Sequence, residues 1–449
     1  MRIVVLIPPY VFGGDGSGVL PAKAMLPQGP LLVAGLLRER GHEASVVDMV
    51  FTTDWERVLL GLERPDALLF SCHTARNIPV CAQVLKVLQE VWGELPHTVL
   101  GGNVCLELGR DDVASLGLAV DAVVRGFAHG DDVLRAIEGR VGGDIWPEKP
   151  DGNLSIPALD LLSEEVHAEY LKASGGKYPM IAFGVGCHWS CAYCAAKMGN
   201  SFLPRPLERV VEEVSKAKAL GYGAIWCVDN IIFTHPDLAV AFDREVARQG
   251  MYWSGMTRAE LVCRLPEGFL EGLTALKEIA MGVEAISSQV LADLGRGGNR
   301  YAADLRKAFH RINAAGIASN GFVILDLPGS SEDDFRQLYD FLEELAPSTV
   351  SWSFYNPPAR EFVGGQVRPA EMGFYRWPLG HSAVPPERVV QQAMLLSGRF
   401  WSGWTPDRQN PFWQSGDEFG ANFLEGKILQ EKRARSPEGN LWEIWEMEG

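Results

Sequence analysis

The chain of 449 residues contains no long hydrophobic run. A helix that spans a bilayer needs about 20 consecutive apolar residues, and no segment approaches that length. The apolar segment Ile3 to Ile7 stops at Pro8-Pro9 and is too short for the core of a signal peptide. The sequence therefore predicts a protein without membrane spans, located in the cytoplasm.

The chain also has fewer basic than acidic residues. The chain has 41 Lys and Arg against 57 Asp and Glu, which gives a formal net charge of −16. A protein that binds nucleic acid neutralises phosphates with Lys and Arg, so this balance argues against such a partner. It mildly favours a cationic small-molecule substrate, although most of the charge is expected on the solvated surface.

Cysteine is sparse, but three of the eight cysteines lie close together. Cys187, Cys191 and Cys194 follow the apolar run Tyr178 to Val185, and the other five show no second metal-binding spacing. Structural zinc needs four ligands, and the adjacent His188 is badly placed to join Cys187 on one ion. A disulfide framework suits secreted proteins. The spacing therefore predicts an iron–sulfur cluster, with one iron of a [4Fe–4S] cluster left without a protein ligand.

Alternating strand-like and helix-like segments predict an α/β protein with two successive parallel sheets. Residues 1–140 are interpreted as an open, Rossmann-like parallel sheet, and 141–177, rich in Gly and Pro, as a linker. Six strand–helix units over 178–360 predict a partial (βα)6 barrel. The aromatic-rich residues 361–449 are expected to cap the substrate, although aromatic residues at this density also suit an ordinary core. No internal repeat is evident.

Charged residues follow four of the predicted barrel strands: Asp229, Arg258, Glu284 and Asp326. Chemistry in such barrels takes place at the carboxyl ends of the strands. Asp229, Glu284 and Asp326 are therefore candidate acids, bases or substrate ligands. Each also has a structural alternative: Glu284 can pair with Arg258, and a strand-end Asp can cap a helix.

The cysteine spacing, with the aromatic Tyr193 before the third cysteine, resembles the signature of the radical S-adenosylmethionine (radical SAM) enzymes. Two further segments resemble the family: Met281 to Glu284 with the helix after it, and Gly321 to Gly329. The resemblance implies that the open iron binds SAM and that one electron cleaves it to a 5′-deoxyadenosyl radical. It also implies that Tyr193, Arg258 and Glu284 contribute to cofactor binding and that an electron donor of the flavodoxin or ferredoxin type, or a dedicated reductase, is needed.

The first half resembles the cobalamin-binding domain of one radical SAM class, through PQGPLLVAGLLRERGHEASVVD, PDALLFSCHT, VLGGN and DAVVRG. The resemblance implies corrinoid contacts from strand-end residues, namely Ser71, His73, Thr74, Gly101 and Gly102. The motif Asp-x-His-x-x-Gly is missing, so no histidine from it can ligate cobalt. Members of the class tend to carry Gly-Glu-Gly-Glu where this chain has Gly126-Phe127-Ala128-His129, which leaves open a domain that kept its fold and lost the corrinoid.

Three functions remain open from the sequence. The first is a cobalamin-dependent methyltransferase that acts on an unactivated carbon of a small molecule. The second is a radical dehydratase or rearrangement enzyme, for example on an aminosugar, that uses the cluster and SAM without cobalamin. The third is an iron–sulfur protein without catalysis, against which the strand-end carboxylates argue.

Overall fold

The computed structural model describes most of the first 355 residues and a short segment after them. The described residues are 1–9, 24–72, 77–125, 131–146, 154–189, 191–194, 202–229, 231–296, 300–355, 380–396 and 399–400. The predicted corrinoid contacts His73 and Thr74, the segment Gly126 to His129 and most of the predicted cap lie outside this range. None of the described helices is long and apolar enough to cross a membrane.

The first sheet has six parallel strands in the order β2-β1-β3-β4-β5-β6. Its strands are β1 (Arg2–Ile7), β2 (Glu43–Asp48), β3 (Ala67–Ser71), β4 (His97–Gly101), β5 (Ala122–Val124) and β6 (Gly143–Ile145). Its helices are α1 (Gln28–Glu39), α2 (Trp55–Leu60), α3 (Ile78–Trp92), α4 (Arg110–Ser115) and α5 (Asp131–Glu138). Apolar clusters cover both faces of the sheet, which explains why its strands are continuous apolar runs.

The range 141–177, interpreted from its composition as a linker, contains regular structure. Strand β6 forms the edge of the first sheet, and α6 spans Glu164–Ala173. The chain between them packs closely on α1, because a Cβ atom at Gly35 would lie 2.1 Å from the carbonyl oxygen of Ile156. The part of this segment that precedes α6 is thus built onto the first sheet, whereas Tyr170 of α6 packs in the core of the half-barrel.

The second sheet is also parallel and curls into a half-barrel with strand order β14-β13-β12-β11-β10-β7. Its strands are β7 (Lys177–Met180), β10 (Ala224–Cys227), β11 (Tyr252–Thr257), β12 (Leu276–Glu284), β13 (Ala318–Leu325) and β14 (Thr349–Phe354). The helices are α7 (Leu207–Ala219), α8 (Pro236–Arg248), α9 (Ala259–Arg264), α10 (Ser288–Asp293), α11 (Tyr301–Ala314), α12 (Glu332–Leu345) and α13 (Pro386–Leu396). The largest core of the described residues lies between this sheet and its helices. The predicted fold class, an open parallel sheet followed by a radical SAM-type half-barrel, is confirmed.

The first barrel strand differs from the prediction of one run from Tyr178 to Val185. Strand β7 ends at Met180, and β8 (Gly184–Gly186) pairs antiparallel with β9 (Phe202–Pro204) in a separate two-stranded sheet. Gly184 permits this pairing, because a Cβ atom there would lie 2.1 Å from the carbonyl oxygen of Leu203. The three cysteines therefore lie in the connection between the two strands of this small sheet.

Candidate functional site

The three cysteines lie on the loop that follows β8. Cys191 is buried, whereas Cys187 and Cys194 are half-buried, and none of them is in a disulfide. The backbone N–H of Ala192 donates a hydrogen bond to the carbonyl oxygen of Leu294, 2.9 Å away, which fastens the loop to the end of α10. Burial raises the pKa of the Cys187 thiol, while Arg258 and Arg296 act in the opposite direction.

Two guanidinium groups approach the buried thiol of Cys191. Nη1 of Arg258 lies 3.5 Å from Sγ, and Nη1 of Arg296 lies 3.9 Å from it. Arg258 is held by two hydrogen bonds to the carboxylate of Glu260 and by its position over the ring of Trp189, 4.8 Å from the centroid. Two cations beside this sulfur atom would offset the negative charge of a bound iron–sulfur cluster. Three cysteines on one loop, none of them in a disulfide, with two cations beside Cys191, fit an anionic iron–sulfur cluster.

Glu284 ends β12 and is 6% exposed, with a left-handed backbone (φ 57°). Its Oε1 accepts a hydrogen bond from the hydroxyl of Tyr193 at 2.7 Å and lies 3.8 Å from Nη1 of Arg296. Burial raises the pKa of the carboxyl, and Arg296 and Tyr193 lower it. Gly282 makes room for this side chain, because a Cβ atom there would be 2.0 Å from Oε1.

The cysteine loop is therefore surrounded by the side chains of Tyr193, Arg258 and Glu284. A shared role in cofactor binding, which stays a prediction, would require this arrangement. Arg296 joins them but was not among the predicted site residues. Its Nη2 donates to the carbonyl oxygen of Gly282 at 3.0 Å, and its side chain is 7% exposed. The sequence feature that could have identified Arg296 is its position between two glycines, directly after the strand-and-helix segment that ends at Leu294.

Asp229 follows β10, and its carboxylate accepts backbone hydrogen bonds; its catalytic role stays a prediction. Its Oδ1 accepts the N–H groups of Phe183 (2.9 Å) and Gly184 (2.8 Å), and its Oδ2 accepts that of Ala182 (2.8 Å). Burial raises the pKa of Asp229 to about 6, against the effect of these three donors. Both oxygens are thus committed to the backbone that leads into β8.

Asp326 follows β13 with a left-handed backbone (φ 61°) and is 3% exposed. One oxygen accepts the N–H groups of Gly380 and His381, and the other accepts the N–H and hydroxyl groups of Ser382. Four donors leave little capacity for substrate or for proton transfer. Asp326 therefore anchors the chain that enters α13, and its catalytic role stays a prediction.

At the carboxyl edge of the first sheet, Ser71 and Gly101 are paired across β3 and β4, and both are half-buried. A Cβ atom at Gly101 would have only the carbonyl oxygen of Phe70 within 4 Å, at 3.9 Å. Gly102 is different: its φ is +105°, and a Cβ atom would lie 2.3 Å from the carbonyl oxygen of Cys72. Gly102 is required by its own backbone contact, whereas a Cβ atom at Gly101 would be crowded by none of the described residues.

The half-barrel also matches a family by sequence. Residues 181–342 match the model of the radical SAM superfamily, and this range includes all three cysteines, Glu284 and both arginines. This chain contains a radical SAM domain. The match indicates an enzyme, and the cofactors that this domain implies are SAM and a [4Fe–4S] cluster.

Relatives of known function extend the similarity beyond that domain. The hopanoid C-3 methylase of Methylococcus capsulatus is 28% identical over 407 residues, which cover 84% of this chain and 76% of the methylase. The ribosomal protein uS12 methylthiotransferase RimO of Clostridium tetani is 26% identical over 181 residues, 37% of this chain and 40% of the relative.

Two solved structures share the fold. The radical SAM methyltransferase TsrM of Kitasatospora setae, with tryptophan and a SAM analogue bound, superimposes with a TM-score of 0.62 at 17% identity. The match covers 80% of this chain and 75% of TsrM. The cobalamin-dependent radical enzyme OxsB, with aqua-cobalamin bound, gives 0.61 at 14% identity over 81% of this chain and 55% of OxsB. At these identities the matches show that the succession of both sheets is shared.

Proposed function

We propose that the chain is a cobalamin-dependent radical SAM methyltransferase that acts on a small molecule. The observation that carries the proposal is the extent of the similarity to the hopanoid methylase, which spans 84% of the chain and thus reaches into the first sheet. If the first domain had no function, we would expect similarity to the methylase over the half-barrel alone. The shared two-sheet fold of TsrM and OxsB supports the same assignment.

In this proposal Cys187, Cys191 and Cys194 hold the cluster. When bound, the cluster and SAM supply a radical that abstracts hydrogen, and cobalamin supplies the methyl group. Arg258 and Arg296 offset the negative charge of the thiolates. The carboxylate of Glu284, oriented by Tyr193, accepts hydrogen bonds from a polar group of SAM. Its burial makes that interaction stronger than it would be in water.

The corrinoid is proposed to lie on the carboxyl edge of the first sheet, at Ser71 and Gly101. Ligands of doubly wound parallel sheets bind in the crevice at this edge. The open space above Gly101 is what a flat macrocycle needs for close approach to a backbone. His73 and Thr74 follow β3 directly and remain predicted contacts.

The radical dehydratase is the less favoured alternative. That reaction needs an acid within reach of the departing hydroxyl group. Asp229 and Asp326, the two predicted candidates besides Glu284, are occupied by backbone and serine donors. Glu284 is already engaged with Tyr193 and Arg296.

The proposal is tested by corrinoid binding and by the products of SAM. Protein reconstituted anaerobically with iron, sulfide and hydroxocobalamin is expected to retain the corrinoid after gel filtration, as read from its visible spectrum. Gly101→Leu is expected to abolish retention, because the side chain enters the open space. Gly61→Leu, a similar change at the end of α2, is the matched control and is expected to bind normally.

With SAM and a strong reductant, the wild-type protein is expected to form S-adenosylhomocysteine as well as 5′-deoxyadenosine, both quantified by mass spectrometry. S-Adenosylhomocysteine is what remains of SAM after it has donated its methyl group. Formation of 5′-deoxyadenosine alone by corrinoid-loaded protein, or a protein that never retains the corrinoid, would refute the methyltransferase assignment and favour the dehydratase.

A further inference from the structure

The buried guanidinium of Arg258 is held by three side chains. Its Nε and Nη2 donate to the two oxygens of the Glu260 carboxylate, at 3.3 and 2.6 Å, and its Nη1 donates to Sγ of Cys191 at 3.5 Å. The central carbon of the group lies 4.8 Å from the centroid of the Trp189 ring. The guanidinium therefore links a carboxylate to a cysteine sulfur atom, with an aromatic ring against its face.

The Glu260 carboxylate fixes the plane of this group. Burial acts to raise the pKa of Glu260, but the hydrogen bonds and the charge of Arg258 outweigh burial and lower it, so the carboxylate is ionised at neutral pH. A planar guanidinium that donates two N–H groups to one carboxylate has a defined orientation. The third nitrogen, Nη1, is thereby directed at Cys191.

Trp189 supplies the remaining contact and belongs to the cysteine loop itself. It is half-buried and stands two residues after Cys187 and two before Cys191. A cation over the face of an aromatic ring is attracted by the quadrupole of the ring, and Trp is the best partner for this interaction. The loop that carries the sulfur atom thus also carries the ring that holds a cation beside it.

Arg296, the second cation near this sulfur atom, has a different setting. Its Nη1 lies 3.9 Å from Sγ of Cys191 and 3.8 Å from Oε1 of Glu284, and its Nη2 donates to the carbonyl oxygen of Gly282. Arg296 therefore shares one nitrogen between the sulfur atom and a carboxylate. Arg258 is closer to the sulfur atom, and its own carboxylate partner occupies the other two nitrogens. The shorter hydrogen bond to Cys191 is thus that of Arg258.

The reduction potential of an iron–sulfur cluster depends on its net charge and on hydrogen bonds to its sulfur atoms. Both a nearby cation and such a hydrogen bond stabilise the reduced cluster, because it carries one more negative charge. We infer that Trp189 is a positioning residue that holds Arg258 against the Cys191 sulfur atom and so raises the reduction potential of the cluster. The inference rests on the proposed cluster assignment, but it needs neither the corrinoid nor methyl transfer.

The test is a potentiometric titration of the anaerobically reconstituted protein, without SAM and without corrinoid, followed by the electron paramagnetic resonance signal of the reduced cluster. Arg258→Gln is expected to make the cluster at least about tenfold harder to reduce, a decrease of about 59 mV for a one-electron couple. Arg306→Gln removes a positive charge from an exposed position of α11 and should change the reduction equilibrium less than about twofold. Iron and sulfide per chain are measured for every variant.

Two substitutions of Trp189 separate the effect of its ring from that of its bulk. Trp189→Phe keeps an aromatic face for the guanidinium and should change the reduction equilibrium less than about twofold. Trp189→Leu removes this face and should make reduction at least about threefold harder. In the Arg258→Gln background, Trp189→Leu should have an effect of less than about twofold, because the ring acts through the guanidinium.

Three results would each overturn the inference: an iron-replete Arg258→Gln variant with the wild-type potential, an equal effect of Trp189→Leu with and without Arg258, or the same potential for Trp189→Phe and Trp189→Leu. If Arg258→Gln retains no iron, the comparison of Trp189→Phe with Trp189→Leu decides alone. A wild-type protein without the signal of a reduced cluster would refute the cluster assignment, and the inference with it. Absence of S-adenosylhomocysteine would refute methyl transfer and leave the measured potentials unaffected.

Discussion

Asp229 provides the sharpest test of whether a strand-end carboxylate is catalytic or structural. Its side chain is 3% exposed and accepts three backbone N–H groups within 2.9 Å. In Asp229→Asn, one oxygen is replaced by an NH2 group that faces an N–H donor. The variant loses at least one hydrogen bond to a charged acceptor, worth about 1.5–3 kcal/mol.

A loss of about 2 kcal/mol corresponds to a decrease of about 4–8 °C in the melting temperature of a domain of this size. Asp229→Ala leaves three buried donors unpaired, at about 1–3 kcal/mol each, and so approaches the total stability of an ordinary domain. Because the three N–H groups belong to Ala182, Phe183 and Gly184, the cysteine loop should lose its support. We therefore expect less bound iron in both variants.

The assay compares melting temperature and iron per chain at pH 8, where a carboxyl group of pKa about 6 is ionised. Asp237→Asn, an exposed carboxylate at the start of α8, is the matched control and should shift the melting temperature little. If Asp229→Asn kept the wild-type melting temperature and full iron content but lost SAM cleavage, the structural assignment would be wrong and a catalytic role would return.

Three further perturbations have clear expected outcomes. Cys191→Ala should remove most of the iron and all 5′-deoxyadenosine formation, and a variant that retained iron and sulfide, or a wild type that held zinc, would contradict the cluster assignment. Gly102→Ala should destabilise the first domain by at least about 1–3 kcal/mol, because of its left-handed backbone and the contact with the Cys72 carbonyl; an unchanged melting temperature would refute this. Glu213→Ala should lower the free energy of unfolding by about 3–5 kcal/mol, because it leaves the buried guanidinium of Arg205 without its ion-pair partner at 2.6 Å. A decrease below about 1 kcal/mol would show that water replaces the Glu213 carboxylate.

The succession of two parallel sheets was predictable from the sequence because short apolar runs alternate with helix-like segments in both halves. The interruption at Met180 was not, since it depends on contact between Gly184 and Leu203, a residue beyond the cysteine loop. Local apolar character could not distinguish one strand from two. The sixth strand of the first sheet was similarly hidden in a segment whose glycines and prolines suggested a linker.

Within the candidate site, the cysteine loop was evident from local spacing alone. The partners of the strand-end carboxylates were not, because they lie far away in sequence. Glu284 meets Tyr193 over 91 positions, and Asp326 meets Ser382 over 56. For Asp229 and Asp326 most donors are backbone N–H groups, which carry no residue-specific signal. A carboxylate at a strand end could therefore be located but not assigned a role.

Buried polar contacts also join the first sheet to the half-barrel. Nε2 of Gln28, at the start of α1, donates to Oε1 of Glu213, which also accepts the hydroxyl of Tyr178 at 3.0 Å. The hydroxyl of Tyr170 in α6 donates to Asp48, at the carboxyl end of β2, over 2.7 Å. Hydrogen bonds are directional, so these contacts restrict how the two sheets can sit more than apolar packing alone would. The proposed methyl transfer requires the sheet edge that carries Gly101 to lie close to the barrel mouth. Hydrogen bonds that fix the position of one sheet relative to the other meet this requirement.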